Sequence, residues 1–202
     1  GHKRVLLFHP RHSRGLYPWP VHHPQDRQSR VNLERLDLEA FPNAAELCGR
    51  GLQAIVGPGD VLHIPPGWWH QVEMLPSPEG EVVSINFWYP APKWFYGDPA
   101  QGEAGLSWDK PLWGTRRLLF QRCIEELAGQ IGGPGRVQDV VRVAMGDADP
   151  VDLGLPEPVA EAVRSVRMFV AAVFPDSAER GEMLSEVIDG RFAGLVPGSA
   201  TA

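Results

Sequence analysis

VGPGDVLHIPPGWWHQVE, Val56 to Glu73, is the stretch that decides how the first half of the chain folds. Pro58, Gly59 and Asp60 are turn chemistry: proline presets one turn dihedral, and glycine supplies a left-handed one. The apolar run VLHIP follows, then a second Pro-Gly pair, two tryptophans and one histidine, His70. Strand-like runs set between turns point to a small antiparallel barrel, with His70 at its mouth as a candidate ligand. Two histidines and a carboxylate on one face of iron(II) are the site used by non-haem oxygenases. Without context, a lone histidine beside aromatic rings is more often packed or hydrogen-bonded, so its partners decide the matter.

Outward from that stretch, KRVLLF (Lys3–Phe8) and LQAIV (Leu52–Val56) read as strands, and so does the β-branched and aromatic VVSINFWY (Val82–Tyr89). Alternation along the last would place Ile85, Phe87 and Tyr89 on one face, with Asn86 and Trp88 on the other. Between the first two strands lies a polar passage, Arg11 to Gly51, rich in Pro, His, Arg and Asp. It is too long for a hairpin and reads as an ordered insert of the kind that carries function.

After a Pro/Gly/Trp linker the period becomes helical. Phe120, Cys123, Ile124, Leu127 and Ile131 form one stripe, and Val137, Val140, Val141 and Ala144 form a second. Val159, Val163, Val166, Phe169, Val170 and Val173 form a third, and Met183, Leu184, Val187 and Ile188 a fourth, started by PDSAE (Pro175–Glu179). The two helix pairs resemble loose copies of one another, a weak repeat signal. The expected organisation is a barrel part over residues 1–92, a linker over 93–115, a helical region over 116–195 and a disordered tail over 196–202.

The chain has 202 residues and a net charge of -6, with acidic and basic side chains mixed along it. That mixing argues against nucleic acid, whose binders gather Lys and Arg on one face. No apolar run in these residues is long enough to span a membrane, and none reads as a signal peptide, so neither is expected. Two cysteines, Cys48 and Cys123, make no disulfide framework and suit a reducing compartment, cytoplasm or nucleus, as packing residues.

GHKRVLLFHP, LYPWPVHHPQDRQSRVNLERLDLEAFPN, VGPGDVLHIPPGWWHQVE and VSINFWY occur in this order. Together they resemble the JmjC-type 2-oxoglutarate oxygenases, and within that family its asparaginyl hydroxylases, over Gly1 to Tyr89. The helical part resembles the C-terminal dimerisation helices of those enzymes more loosely, with IDGRF near the end matching a terminal motif. The resemblance implies part of a double-stranded β-helix (cupin/JmjC) barrel, mainly β, followed by an α appendage. It also implies Fe(II) and the cosubstrate 2-oxoglutarate.

Residue by residue, His70 matches the distal histidine ligand of the iron, and Lys3 the cation that pairs with the far carboxylate of 2-oxoglutarate. Asn86 matches a residue lining the cosubstrate side of the pocket, and Trp88 one on the substrate side. Arg27 and Gln28, inside HPQDRQS, match the pair that hydrogen-bonds a target side-chain amide, which presents one acceptor and two donors. From pattern alone Lys3 is a solvated strand-end lysine, Asn86 a core amide with backbone partners, and DRQS a surface loop.

One departure matters. The His-x-Asp/Glu motif that supplies the other two iron ligands occurs nowhere in the chain. The expectation is therefore a portion of a longer dioxygenase that hydroxylates a protein side chain, inactive by itself and homodimeric through its helices. The alternatives are a JmjC enzyme acting on tRNA or methyl-lysine, and a non-catalytic cupin-like module for binding or assembly.

Overall fold

The computed structural model describes residues 1–78, 80–88 and 113–195, the side chains of 113–116 and 173 excepted. The expected linker falls almost wholly outside these residues, and so does the expected tail after residue 195. The described chain forms two compact units.

The first unit combines Gly1–Ser13 with Glu46–Arg116. Its frame is a three-stranded antiparallel sheet in the order β2-β1-β3, with β1 at Lys3–Phe8, β2 at Leu52–Val56 and β3 at Trp69–Met74. Lys3 pairs with Val56 on one side and with Met74 on the other; Leu7 pairs with Leu52 and His70. The middle strand is the apolar one, and Val5, Leu7 and Phe8 are buried. Its flanking strands are edges, where Leu52, Ile55, Val72 and Met74 stay about half exposed or more.

Both Pro-Gly pairs do what their composition dictates. Gly59 takes a φ of 87° and Gly67 a φ of 76°, which suit glycine at the third position of a turn whose second residue is proline. Asp60 closes the first turn by accepting from the Gly57 amide at 2.8 Å, and the Trp68 amide closes the second on the Pro65 carbonyl at 3.2 Å. The second turn leads through Trp68 into β3 at Trp69 and His70, and the Trp69 indole N–H donates to Ser13 Oγ at 2.8 Å.

The expected strand Val82–Tyr89 is a correction. Residues 82–88 have no regular structure and Tyr89 lies outside the described residues. Both sides of β1 are already taken by β2 and β3, and among the described residues the segment pairs with neither outer edge of the sheet. Propensity without a pairing partner does not make a strand. The barrel is represented here by three strands.

The second unit combines Arg14–Ala45 with Arg117–Ala202. The helical turn α1 (Ser13–Leu16) opens its loop passage. Helices α2 (Trp113–Gly132), α3 (Val137–Met145), α4 (Glu157–Val173) and α5 (Ser177–Glu186) follow, and α5 runs into a π-helical turn at Val187–Arg191. All four sequence stripes lie on helices, with the fourth continuing into the π turn. The Asp176 carboxylate accepts from the Ala178 and Glu179 amides at the start of α5, as the PDSAE signal implied. Gly146, with a φ of 91°, ends α3 by giving its amide to the Arg142 and Val143 carbonyls.

The first stripe needs a correction in register. Phe120, Ile124 and Ala128 are buried at spacings of four, and Gln121 and Glu125 go inside with them, while Cys123 is exposed. Cys48 is exposed as well, so neither cysteine is a packing residue. On α4, Val163, Val166 and Val170 are buried, but Phe169 is 44% and Met168 73% exposed, so part of that apolar surface faces outward. Among the described residues, no helix is long and apolar enough to cross a membrane.

Candidate functional site

Residues paired directly across antiparallel strands point to the same face. Lys3, Val5 and Leu7 of β1 therefore share a face with Met74, Val72 and His70 of β3 and with Val56, Ala54 and Leu52 of β2. Lys3 and His70, singled out for different reasons, stand on one otherwise apolar face. They are four residue pairs apart, roughly 14 Å along the strands. A lysine side chain and a short dicarboxylate between them can bridge such a separation.

His70 is exposed, and its Nδ1 lies 3.3 Å from the Trp68 carbonyl oxygen. A carbonyl only accepts, so that contact is a hydrogen bond when Nδ1 carries the proton, which leaves Nε2 with its lone pair free for a metal. His9, just after β1, packs edge-on against Trp68 with ring centroids 5.3 Å apart, while its own Nδ1 accepts from the Arg11 amide at 3.1 Å.

Lys3 is half-buried, and its Nζ donates to Ser84 Oγ at 2.6 Å. Ser84 was not anticipated. Its position two residues before Asn86 is the only hint the sequence holds, and a hydroxyl acceptor leaves two ammonium protons for an anion. Asn86 and Trp88 are both exposed, on the irregular segment rather than on a strand face; Trp88 is 87% exposed.

Arg27 and Gln28 belong to the second unit. Both are exposed, and Arg27 has a φ of 69°, a left-handed conformation uncommon for a residue with a side chain. The loop around them is tied at several points. The Trp19 amide donates to the Gln28 carbonyl at 3.0 Å, Pro18 and Ser29 form an isolated bridge, and the Trp19 and His23 rings stack at 3.8 Å. Arg30 lies over Tyr17, Trp19 and Phe41 and donates to the Tyr17, Ala193 and Gly190 carbonyls.

Beneath the loop lies a buried ionic cluster that the sequence did not disclose. Glu125 is wholly buried and accepts from Arg191 Nε and, at 2.9 Å, from the Val21 amide. Arg191, 2% exposed, also donates to the Trp19 carbonyl at 2.8 Å. Arg122 makes a two-pronged contact with Asp26, its second arm at 2.7 Å. Burial pushes the Glu125 carboxyl up, against the pull of Arg191 and the Val21 amide. At Asp26 burial also works upward, but the Arg122 hydrogen bonds and charge outweigh it and hold the carboxyl below its usual range. The available signals were slight: Glu125 sits next to Ile124 on the buried stripe, and Arg191 lies inside IDGRF.

The described residues supply one candidate metal ligand and not a set. No group of three or more His, Cys, Asp or Glu among them is placed to hold a metal ion. An iron at His70 would need its other donors from outside the described residues, since one imidazole does not hold iron(II) against water.

Comparison with known proteins agrees with the sheet unit. Residues 1–93 match the family model of the cupin-like domain. The chain is 34% identical over 89 residues to the lysine-specific demethylase JMJ31 of Arabidopsis thaliana, 44% of this chain and 16% of the relative. It is 33% identical over 92 residues to Jumonji C domain-containing protein 5 of Drosophila melanogaster, 44% of this chain and 20% of the relative. It is 36% identical over 89 residues to HSPB1-associated protein 1 of Mus musculus, 44% of this chain and 17% of the relative. The chain thus matches a fifth or less of each relative's length. The match of residues 1–93 to a cupin-like domain and the likeness to proteins named for Jumonji C or lysine demethylation fall on the same part of the chain.

Proposed function

We propose that the chain is part of a 2-oxoglutarate- and Fe(II)-dependent dioxygenase that hydroxylates a protein side chain. In such an enzyme, oxidative decarboxylation of 2-oxoglutarate is coupled to hydroxylation of the substrate. The observation that supports this reading best is the shared sheet face. It sets a half-buried lysine cation and a histidine with one open nitrogen on the same apolar surface. A carboxylate leaving water for such a face needs a cation or several donors, and Lys3 with Ser84 offers both. Names of relatives support the dioxygenase class, two being demethylase or Jumonji C proteins.

The finer assignment, a side-chain carboxamide as target, rests on the motif resemblance to the asparaginyl hydroxylase known as factor inhibiting HIF. Gln28 beside Arg27 can donate to and accept from an amide in the way that target requires. His70 acts as one iron ligand, and Asn86 and Trp88 border the same pocket. The apolar surface left open on α4 mediates a homodimer.

Two substitutions in the intact protein separate the roles. Lys3→Ala raises the apparent constant for 2-oxoglutarate about tenfold to a hundredfold and leaves the peptide constant alone, because a charge-assisted pair contributes roughly 1.5–3 kcal/mol. Gln28→Ala does the reverse. Equal effects on both constants, or succinate formation surviving His70→Ala, refute the assignment of roles, whereas an intact protein that forms no succinate at all favours a cupin-like module without catalysis.

A further inference from the structure

Arg27 and Gln28 stand on a loop held partly by bonds of its own and partly by the helices it lies on. Arg27 has a left-handed backbone, as does Tyr17 earlier in the passage, and the segment before Arg27, Trp19 to Asp26, is fastened to helix α2 and the π turn at three points. The Val21 amide is held by Glu125, the Trp19 carbonyl by Arg191, and the Asp26 carboxylate by both arms of Arg122. After it, Arg30 reaches the Gly190 and Ala193 carbonyls. The residue immediately before the left-handed one is thus gripped by a planar fork. A fork fixes direction as well as distance, whereas a lysine would act only as a point charge. Within the loop Asp26 is held by the Arg27 backbone amide, while the Arg27 and Arg191 guanidinium groups stay 3.9 Å away, so the two-pronged contact to a side chain is that of Arg122.

We infer that Arg122 is a positioning residue for the exposed pair Arg27 and Gln28. By clamping Asp26 it selects the left-handed Arg27 conformation that presents Gln28, and so sets how well a peptide carboxamide is read. The inference rests on the reading of that pair given above, but the clamp itself is measurable without it.

The first measurement is tryptic cleavage of the Arg27–Gln28 bond in the native intact protein, relative to cleavage after Arg142 on α3, which reports unfolding of the whole unit. Arg122→Met and Asp26→Asn raise that ratio about tenfold to a hundredfold, the effect of losing a charge-assisted pair. Arg122→Lys raises it less, keeping charge without the fork. Parallel increases at both bonds, or no increase at either, overturn the clamp.

The second measurement uses a synthetic peptide with a single asparagine, against the same peptide with aspartate in its place. Arg122→Met raises the apparent constant for the asparagine peptide and leaves that for 2-oxoglutarate unchanged. A merely structural role would move both. If Gln28→Ala leaves peptide binding unchanged while the cleavage ratio still responds to Arg122→Met, the reading of the pair fails and the clamp stands. If Gln28→Ala weakens the peptide but Arg122→Met does not, the positioning role is overturned.

Discussion

Glu125 and Arg191 invite a double-mutant cycle. Glu125 is wholly buried, and Arg191 is 2% exposed, so neither can turn to water if its partner is removed. Arg191→Met leaves the Glu125 carboxylate with the Val21 amide as donor, and Glu125→Leu leaves a buried guanidinium with the Trp19 carbonyl and, at 3.9 Å, Asp26. Removing one member of a buried pair costs about 3–5 kcal/mol, a large share of the roughly 5–15 kcal/mol that holds an ordinary domain. Replacing both by apolar residues of similar volume removes the stranded charge, and the remaining cost is about 1–2 kcal/mol for the Val21 N–H and Trp19 carbonyl left unpaired. The assay is urea unfolding followed by far-UV ellipticity, which reports the helices of the second unit. At a slope of about 2 kcal/mol per molar, each single substitution lowers the midpoint by roughly 1.5–2.5 M, and the double by under about 1 M. Single substitutions costing less than about 1 kcal/mol, or a double costing the sum of the two, refute the idea of a buried pair whose members depend on each other.

Two glycines test packing against propensity. Alanine at Gly129 places a methyl against the His22 ring and destabilises in spite of better helix propensity, by about 1–3 kcal/mol of overpacking; alanine at Gly181 on α5, with nothing within 4 Å, stabilises by about 0.5–1 kcal/mol. Melting temperatures moving the same way would contradict the packing described. Met168→Glu on the open part of α4 breaks the proposed homodimer and keeps the ellipticity, whereas Val166→Glu, buried on the same helix, unfolds the unit; light scattering that finds a monomer before substitution disproves the dimer. Asp26 has a carboxyl held below its ordinary value in the folded chain, so its contribution to stability is present above that ordinary value and is lost as pH falls through the folded one. Asp26→Asn should therefore destabilise at neutral pH and flatten the acid limb below about pH 4; an unchanged acid limb removes Asp26 from it.

The helices were legible in the sequence because their signals are local. Four residues specify the start of α5, and a single glycine ends α3. In the sheet β1 and β2 were legible, whereas β3, Trp69–Met74, was not read as a strand. Val82 to Trp88 has the composition of a strand and none of its pairing, which no local pattern can supply. At the candidate site, Lys3 and His70 were named from motifs, but that they share a face follows from cross-strand register. Glu125 was hidden for a further reason: a charged residue beside an apolar stripe ordinarily marks the stripe's edge, and it goes inside only because Arg191, 66 residues later, meets it there.

The second unit is built from two stretches of chain separated by most of the sheet. During synthesis the Arg14–Ala45 passage emerges long before Arg122, Glu125 and Arg191 exist, and it must wait through that interval without its supports. Closing so long a loop makes this a late and slow folding event, exposed meanwhile to proteases and to wrong partners. It also sets where the chain can be cut. The cupin-like match ends at residue 93, a natural place to trim an expression clone or graft a chimera. A piece ending there would keep the Lys3 and His70 sheet but strand the Asp26–Gln28 loop from every helix that shapes it.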